Sequence, residues 1–280
     1  MDSWNKMQRI DPRLIYLLIL LAMVIPMFKP MGLPVAVSPE TKTVFEAIDS
    51  LPSNAVIFIS HDTGPGNAPE LDPMIAALAR QAFKKNIKLV VMSLWEMGAQ
   101  FADDQIKPIA AAMGKTYGVD YVNLGYKIGG SMTIRTMVND LSKGAAGVDM
   151  DNKPLDSFPL MQRVKSLKDV DLLFVTTVGS PGYSDWMTYA AEPLKKKLTG
   201  GASLTMYSGL QQYIRSGQLT GYLGGMRGAA EYERLVGAPG KGLAGMDSQS
   251  LGHILVILLI ILGNIGYFRS LRATGPAGGK

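Results

Sequence analysis

The chain has 280 residues, 47% of them hydrophobic, with two histidines, no cysteine and a formal charge of +5. This length and apolar content allow one large domain or two small ones, and the missing cysteine excludes disulfides, thiolate metal sites and a cysteine nucleophile. The basic excess lies at the ends, since residues 29–250 carry 22 Lys and Arg against 21 Asp and Glu, and a nearly neutral centre argues against nucleic acid as a partner.

Lys6, Arg9 and Arg13 lead into an uncharged apolar run, Leu14 to Phe28, closed by Lys29 and Pro30. Its 15 residues fall short of the roughly 20 of a helical bilayer span, and snorkelling of Lys29 with continuation through Val37 extends it. A cleaved signal peptide is the competing reading, but Val35, Ala36 and Val37 set a branched residue on each side of the alanine and make a poor cleavage site. Residues 1–13 are therefore read as a cytoplasmic tail and residues 14–37 as an uncleaved transmembrane anchor.

Residues 38–237 read as an α/β domain. After a lead-in helix over Thr43–Leu51, Ala55–Ile59 is a short Val- and Ile-rich run that fits a strand covered on both faces. Polar residues, Ser60, His61, Asp62 and Thr63, are massed at its carboxyl end, and a glycine-rich turn follows. Pro69–Asn86 is then a helix, with prolines in its first turn, an apolar stripe of Leu71, Ile75, Leu78 and Ala82, and Lys84 and Lys85 at its carboxyl end. Ile87–Ser93 is a second strand, Glu96–Tyr117 a helix kinked at Pro108, and Asp120–Tyr126 a third strand. Helices around Met132–Leu141 and Phe158–Leu167 flank a long loop, Gly144–Pro154. Strand Asp171–Val178 ends in a Gly179 to Gly182 turn, and a helix over Trp186–Leu198 precedes a fifth strand, Ser203–Tyr207. Five strands alternating with helices predict a doubly wound, mainly parallel sheet, Rossmann-like or flavodoxin-like, and the simpler winding has the order 2-1-3-4-5.

Gly217, Gly221 and Gly225, with Gly224 and Gly228, recur at four-residue spacing. On a helix they line one groove, at a cost of about 1 kcal/mol each relative to alanine, and close approach of another element offsets such a cost. That element is either a partner subunit, which makes these five glycines an interface, or the chain's own sheet. Residues 238–250 read as a Gly-rich flexible linker. Leu251–Phe268 is apolar on every face and predicts a transmembrane helix, with Arg269 and Arg272 opening a tail over 269–280. Both spans carry their denser Lys and Arg on the terminal side, so the positive-inside rule puts both tails in the cytoplasm and the domain outside. His253 and Asn264 lie near the ends of the last span, within reach of water and headgroups.

Open α/β sheets bind ligands beyond the carboxyl ends of their strands, which singles out Ser60, His61, Asp62, Ser93, Ser180, Asp185 and Ser208 as the rim of any small-molecule or anion site. The contiguous Ser60, His61 and Asp62 are not a triad, because neighbours in a strand point to opposite faces. His61 has a partner to find elsewhere, such as Ser180 or Ser208. No G-x-S-x-G elbow and no Walker loop occur, and the turn from Gly64 to Pro69 starts as a dinucleotide fingerprint but lacks its third glycine. Zinc would need His61 with Asp62 and Asp185; an Asp149 to Lys153 turn has calcium-like spacing but suits a solvated loop. Trp95, Tyr183 and Trp186 are pocket walls or packing. We expect no cofactor, no metal and no catalytic residue. The expected function is a non-enzymatic, membrane-anchored subunit that assembles with other membrane proteins or with itself, or presents a ligand. The alternative is a membrane-anchored hydrolase or transferase using His61, Asp62 and Asp185.

Overall fold

The computed structural model describes residues 11–273, with side chains to Arg269; the outer parts of both expected tails lie outside these residues. The chain divides into two compact units, residues 34–243 and the two ends taken together, up to Leu33 and from Ala244.

The first unit is an α/β domain built on a parallel sheet of six strands: β1 Val56–Asp62, β2 Lys88–Ser93, β3 Tyr121–Tyr126, β4 Leu172–Thr177, β5 Lys197–Ala202 and β6 Leu223–Gly224. Their order is 3-2-1-4-5-6, with every pairing parallel, which corrects both the five-strand count and the 2-1-3-4-5 winding. Alternation along the buried strands sorts side chains into two cores. Ile57, Ile59, Val91 and Phe174 face helices α2 (Pro39–Asp49), α3 (Ala68–Lys84), α4 (Gly98–Ala112) and α10 (Gly225–Val236). Phe58, Met92, Leu124 and Val175 face α5 (Ser131–Asn139), α6 (Leu141–Gly144), α7 (Pro159–Arg163), α8 (183–194) and α9 (Tyr207–Arg215). Trp186, on α8, is fully buried against Phe58, with ring centroids 5.6 Å apart.

Several expected boundaries move. The helix expected through Leu198 stops earlier, at a left-handed Lys195 with φ of 52°, and the strand starts at Lys197. This strand carries Gly200 and Gly201 where it is packed most tightly: a β-carbon on Gly200, whose φ is +147°, would lie 1.8 Å from Val175 O, and one on Gly201 would lie 2.2 Å from Met74 Sδ. Glycines that mark a loop by composition are here a demand of close packing. The expected strand over Ser203–Tyr207 is instead a 3-10 turn leading into α9. The glycine groove does not form. Gly217 and Gly221 have positive φ outside any helix, Gly224 lies in β6, and α10 starts only at Gly225. Gly221 lets α2 approach, a β-carbon there meeting Glu40 O at 2.7 Å, and Gly228 packs on Leu223, so both serve contacts within the domain.

The second unit contains α1 (Pro12–Phe28) and most of α11 (Lys241–Ala273). The expected linker over 238–250 is helical from Lys241, its first amides held by Glu233, which accepts from Gly240, Gly242 and Leu243 N at 3.0, 3.0 and 2.8 Å. Among the described residues, Lys241–Arg269 is the one helix long and apolar enough to cross a membrane, with 29 residues and a mean hydropathy of 2.2 over its most apolar 18. The 17 residues of α1 rise about 25 Å, short of a bilayer's ~30 Å core. The expected extension to Val37 is not helical. Buried Asp247 binds the turn after α1, accepting from Met31, Gly32 and Leu33 N at 2.6, 2.9 and 3.0 Å.

Candidate functional site

In this strand order the connections leave β1 and β4 in opposite directions, and the crevice beyond their carboxyl ends is the topological switch point of the sheet. The strand β1 runs three residues beyond its apolar run, through Ser60, His61 and Asp62, because these pair with Met92 on β2 and with Val175, Thr176 and Thr177 on β4. Ladder pairing, which periodicity cannot report, makes strand of a polar stretch. All three side chains are fully buried.

Alternation then parts them. His61 turns to the α3 face, where Nδ1 lies 2.6 Å from Thr176 Oγ1 and Nε2 lies 3.0 Å from Asp72 Oδ1. A hydroxyl, an imidazole and a carboxylate in series have the connectivity of a catalytic triad. With Thr176 and His61 fully buried, however, this series ties β1, β4 and α3 together and offers no nucleophile to a solvent-borne substrate. Neither Ser180 nor Ser208 is its partner. Thr176 was unreadable without the register, and Asp72 lies in the first turns of a helix with nothing in its local pattern to mark it.

Asp62 turns to the other face and receives Ser60 Oγ at 2.8 Å, Ser93 Oγ at 3.2 Å and Leu94 N at 2.6 Å. Burial pushes its carboxyl up to about 7, against the pull of these donors toward the charged form. Ser93 links this network to the loop after β2, since its hydroxyl also lies 2.8 Å from Trp95 O and accepts from Trp95 N at 2.9 Å. Helix α4 begins hard against the same spot: a β-carbon on Gly98 would lie 2.0 Å from His61 O and 2.4 Å from Ser93 Oγ. Trp95 in turn covers Gly179 of the β4 loop. Ser60, Asp62 and Ser93 thus form one closed cluster, as the rim expectation grouped them, but inside the protein instead of lining an opening.

The remaining expected residues do open to solvent. Ser180, Asp185 and Ser208 line one cleft of about 390 Å³ between the loop after β4, the start of α8 and α9. Asp185 is held in place by Ser131 Oγ at 2.5 Å and Gly182 N at 3.0 Å. Ser131 was absent from the expected set, because α5 comes beside α8 only in the folded layer. The seven expected residues therefore divide into a buried polar core, Ser60, His61, Asp62 and Ser93, and an open cleft, Ser180, Asp185 and Ser208. Of the aromatics, Tyr183 lines the cleft yet buries its hydroxyl on Val175 O at 2.6 Å, and Trp186 is core.

No cluster of three or more His, Asp or Glu suited to a metal occurs among the described residues. The Asp149 carboxylate is occupied by its own loop, accepting from Asp151 N, Lys153 N and Tyr117 Oη at 2.9, 2.8 and 2.8 Å. Comparison with protein-family models, curated proteins and solved structures finds none that matches this chain.

Proposed function

We propose that this chain is a membrane-anchored, non-enzymatic subunit whose α/β domain, on the extracytoplasmic side, presents a small-molecule cleft to its surroundings. The observation that carries the reading is the contrast at the carboxyl edge of the sheet. The groups fit for acid–base chemistry, His61 and Asp62, are fully buried and engaged by the chain's own side chains, whereas the open cleft beside them is lined with groups fit for binding. His61, Asp62 and Asp185 each hold separate partners, which argues against the hydrolase or transferase alternative. Membrane anchoring is supported by α11, whose apolar window is only 6% buried, and by the outward-facing Leu17, Leu20 and Ile25 of α1, which enters the bilayer beside it as a second, shorter element. Lys6, Arg9, Arg13, Arg269 and Arg272 hold both termini in the cytoplasm.

The absence of cysteine makes the topology directly testable, because a single introduced cysteine is the only thiol. Ser53→Cys is expected to react with an impermeant maleimide added to intact cells, and Ser270→Cys only after lysis. Labelling of position 270 but not 53 in intact cells overturns the orientation. Release of the protein from membranes by alkaline carbonate overturns the anchoring itself.

A further inference from the structure

We infer that the cleft between the β4 loop and α9 takes a neutral, polyhydroxylated ligand of mono- or disaccharide size. This rests on the ligand-presenting reading above and names the ligand's chemistry. The first ground is the donor and acceptor inventory. Ser180, Ser184 and Ser208 line the cleft and are exposed, as is Gln212, and among the described residues no hydrogen bond occupies their hydroxyls or the Gln212 amide. A hydroxyl and a primary amide each donate and accept, so together they match ligand groups that do the same, as sugar hydroxyls do. The second ground is charge. Among the described residues no Lys, Arg or His lines the cleft, so an anion has no countercharge from them there. Asp185 is the single charged residue, and both its oxygens already accept, from Ser131 and Gly182, which leaves its remaining lone pairs to hold a ligand hydroxyl and gives a cation no acidic cluster.

A volume of about 390 Å³ lies at the small end of the roughly 300–1,000 Å³ typical of ligand pockets. The half-buried ring of Tyr213 supplies wall for the C–H face of a pyranose, with Leu210 buried behind it in the core. Gly209 leaves the rim open, since a β-carbon there would meet nothing within 4 Å.

The test is isothermal titration calorimetry on the full chain in a detergent without a sugar headgroup, with glucose, N-acetylglucosamine and maltose as probes and inorganic phosphate as comparator. At least one saccharide is expected to bind, with affinity reduced tenfold or more by Ser208→Trp, which fills the cleft, and about threefold by Gln212→Ala, which removes one amide. Ser208 and Gln212 are exposed, and an unchanged melting temperature shows that each variant keeps its fold. Gln212→Ala serves alone if the tryptophan disturbs α9. Saccharide binding unaffected by the fold-retaining variants places the ligand elsewhere and overturns the inference. No saccharide binding up to about 10 mM overturns it as well. Phosphate binding that Ser208→Trp abolishes overturns the neutral class while leaving the ligand-presenting reading intact.

Discussion

At the scale of single residues, the polar end of β1 shows how a buried network registers pH. The Asp62 carboxyl titrates near 7 in the fold and near 3.8 when the chain is unfolded. Its contribution is therefore complete below about pH 4 and is lost as pH rises through 7, since the ionised form is the one that burial penalises. Asp62→Asn keeps an acceptor for Leu94 N and has no charge to bury, so its stability is expected to change less between pH 4 and 8 than that of the parent. The difference approaches a few kcal/mol, at ~1.4 per pKa unit. Urea unfolding followed by tryptophan fluorescence at several pH values measures it; parallel profiles for the two proteins would count against a titrating Asp62. Thr176→Val tests the other face. It leaves His61 Nδ1 buried without a partner, at an expected loss of about 1–3 kcal/mol, and a loss under ~0.5 kcal/mol in the same assay shows that the contact does not tie the strands. The placing of Asp62 and His61 on opposite faces was legible in the sequence, because strand alternation is local. Their partners were not, since Ser93, Leu94, Asp72 and Thr176 come from three other elements.

At the scale of elements, packing overrides composition at several boundaries. The strand β5, Lys197–Ala202, begins on the last of three consecutive lysines and contains two glycines, so its pattern suggests the end of a helix and a loop. Yet it lies between β4 and β6 with no room for a side chain at Gly200. Gly200→Ala adds a β-carbon against Val175 O in a conformation that L-residues rarely adopt. It is expected to cost about 3 kcal/mol or more, seen as a large fall in the calorimetric midpoint; a near-neutral result contradicts the β5 placement. Helix α11 shows the reverse case. Three glycines made its first turns look like a linker, but Glu233 binds three of the amides there and Asp247 binds three from the turn after α1. Asp247→Ala releases that turn, and amide exchange at Met31, Gly32 and Leu33 is expected to accelerate tenfold or more, about 1.4 kcal/mol in local opening. Unchanged exchange would remove the carboxylate from the account.

At the scale of the whole molecule, residues 34–243 close both hydrophobic cores among themselves, while the exposed side chains of α1 and of α11 from Leu251 to Phe268 are largely apolar. A chain limited to 34–243 is expected to fold as a soluble α/β domain with a cooperative thermal transition and a near-native circular dichroism spectrum. Insoluble or molten material indicates that the apolar helices contribute to the domain's stability. The sequence by itself determined the class of fold and the apolar end helix, because strands, amphipathic helices and an all-round apolar segment are written in short-range periodicity and length. It also located the polar carboxyl ends of β1 and β4, because parallel strands direct their following loops to one edge. Only the tertiary structure decided the 3-2-1-4-5-6 order, the strand hidden in a lysine- and glycine-rich stretch, and the fate of each polar residue at that edge. Which groups close on one another and which line a cleft depends on register and on approaches between residues more than a hundred positions apart, such as His61 with Thr176, and no local pattern records those.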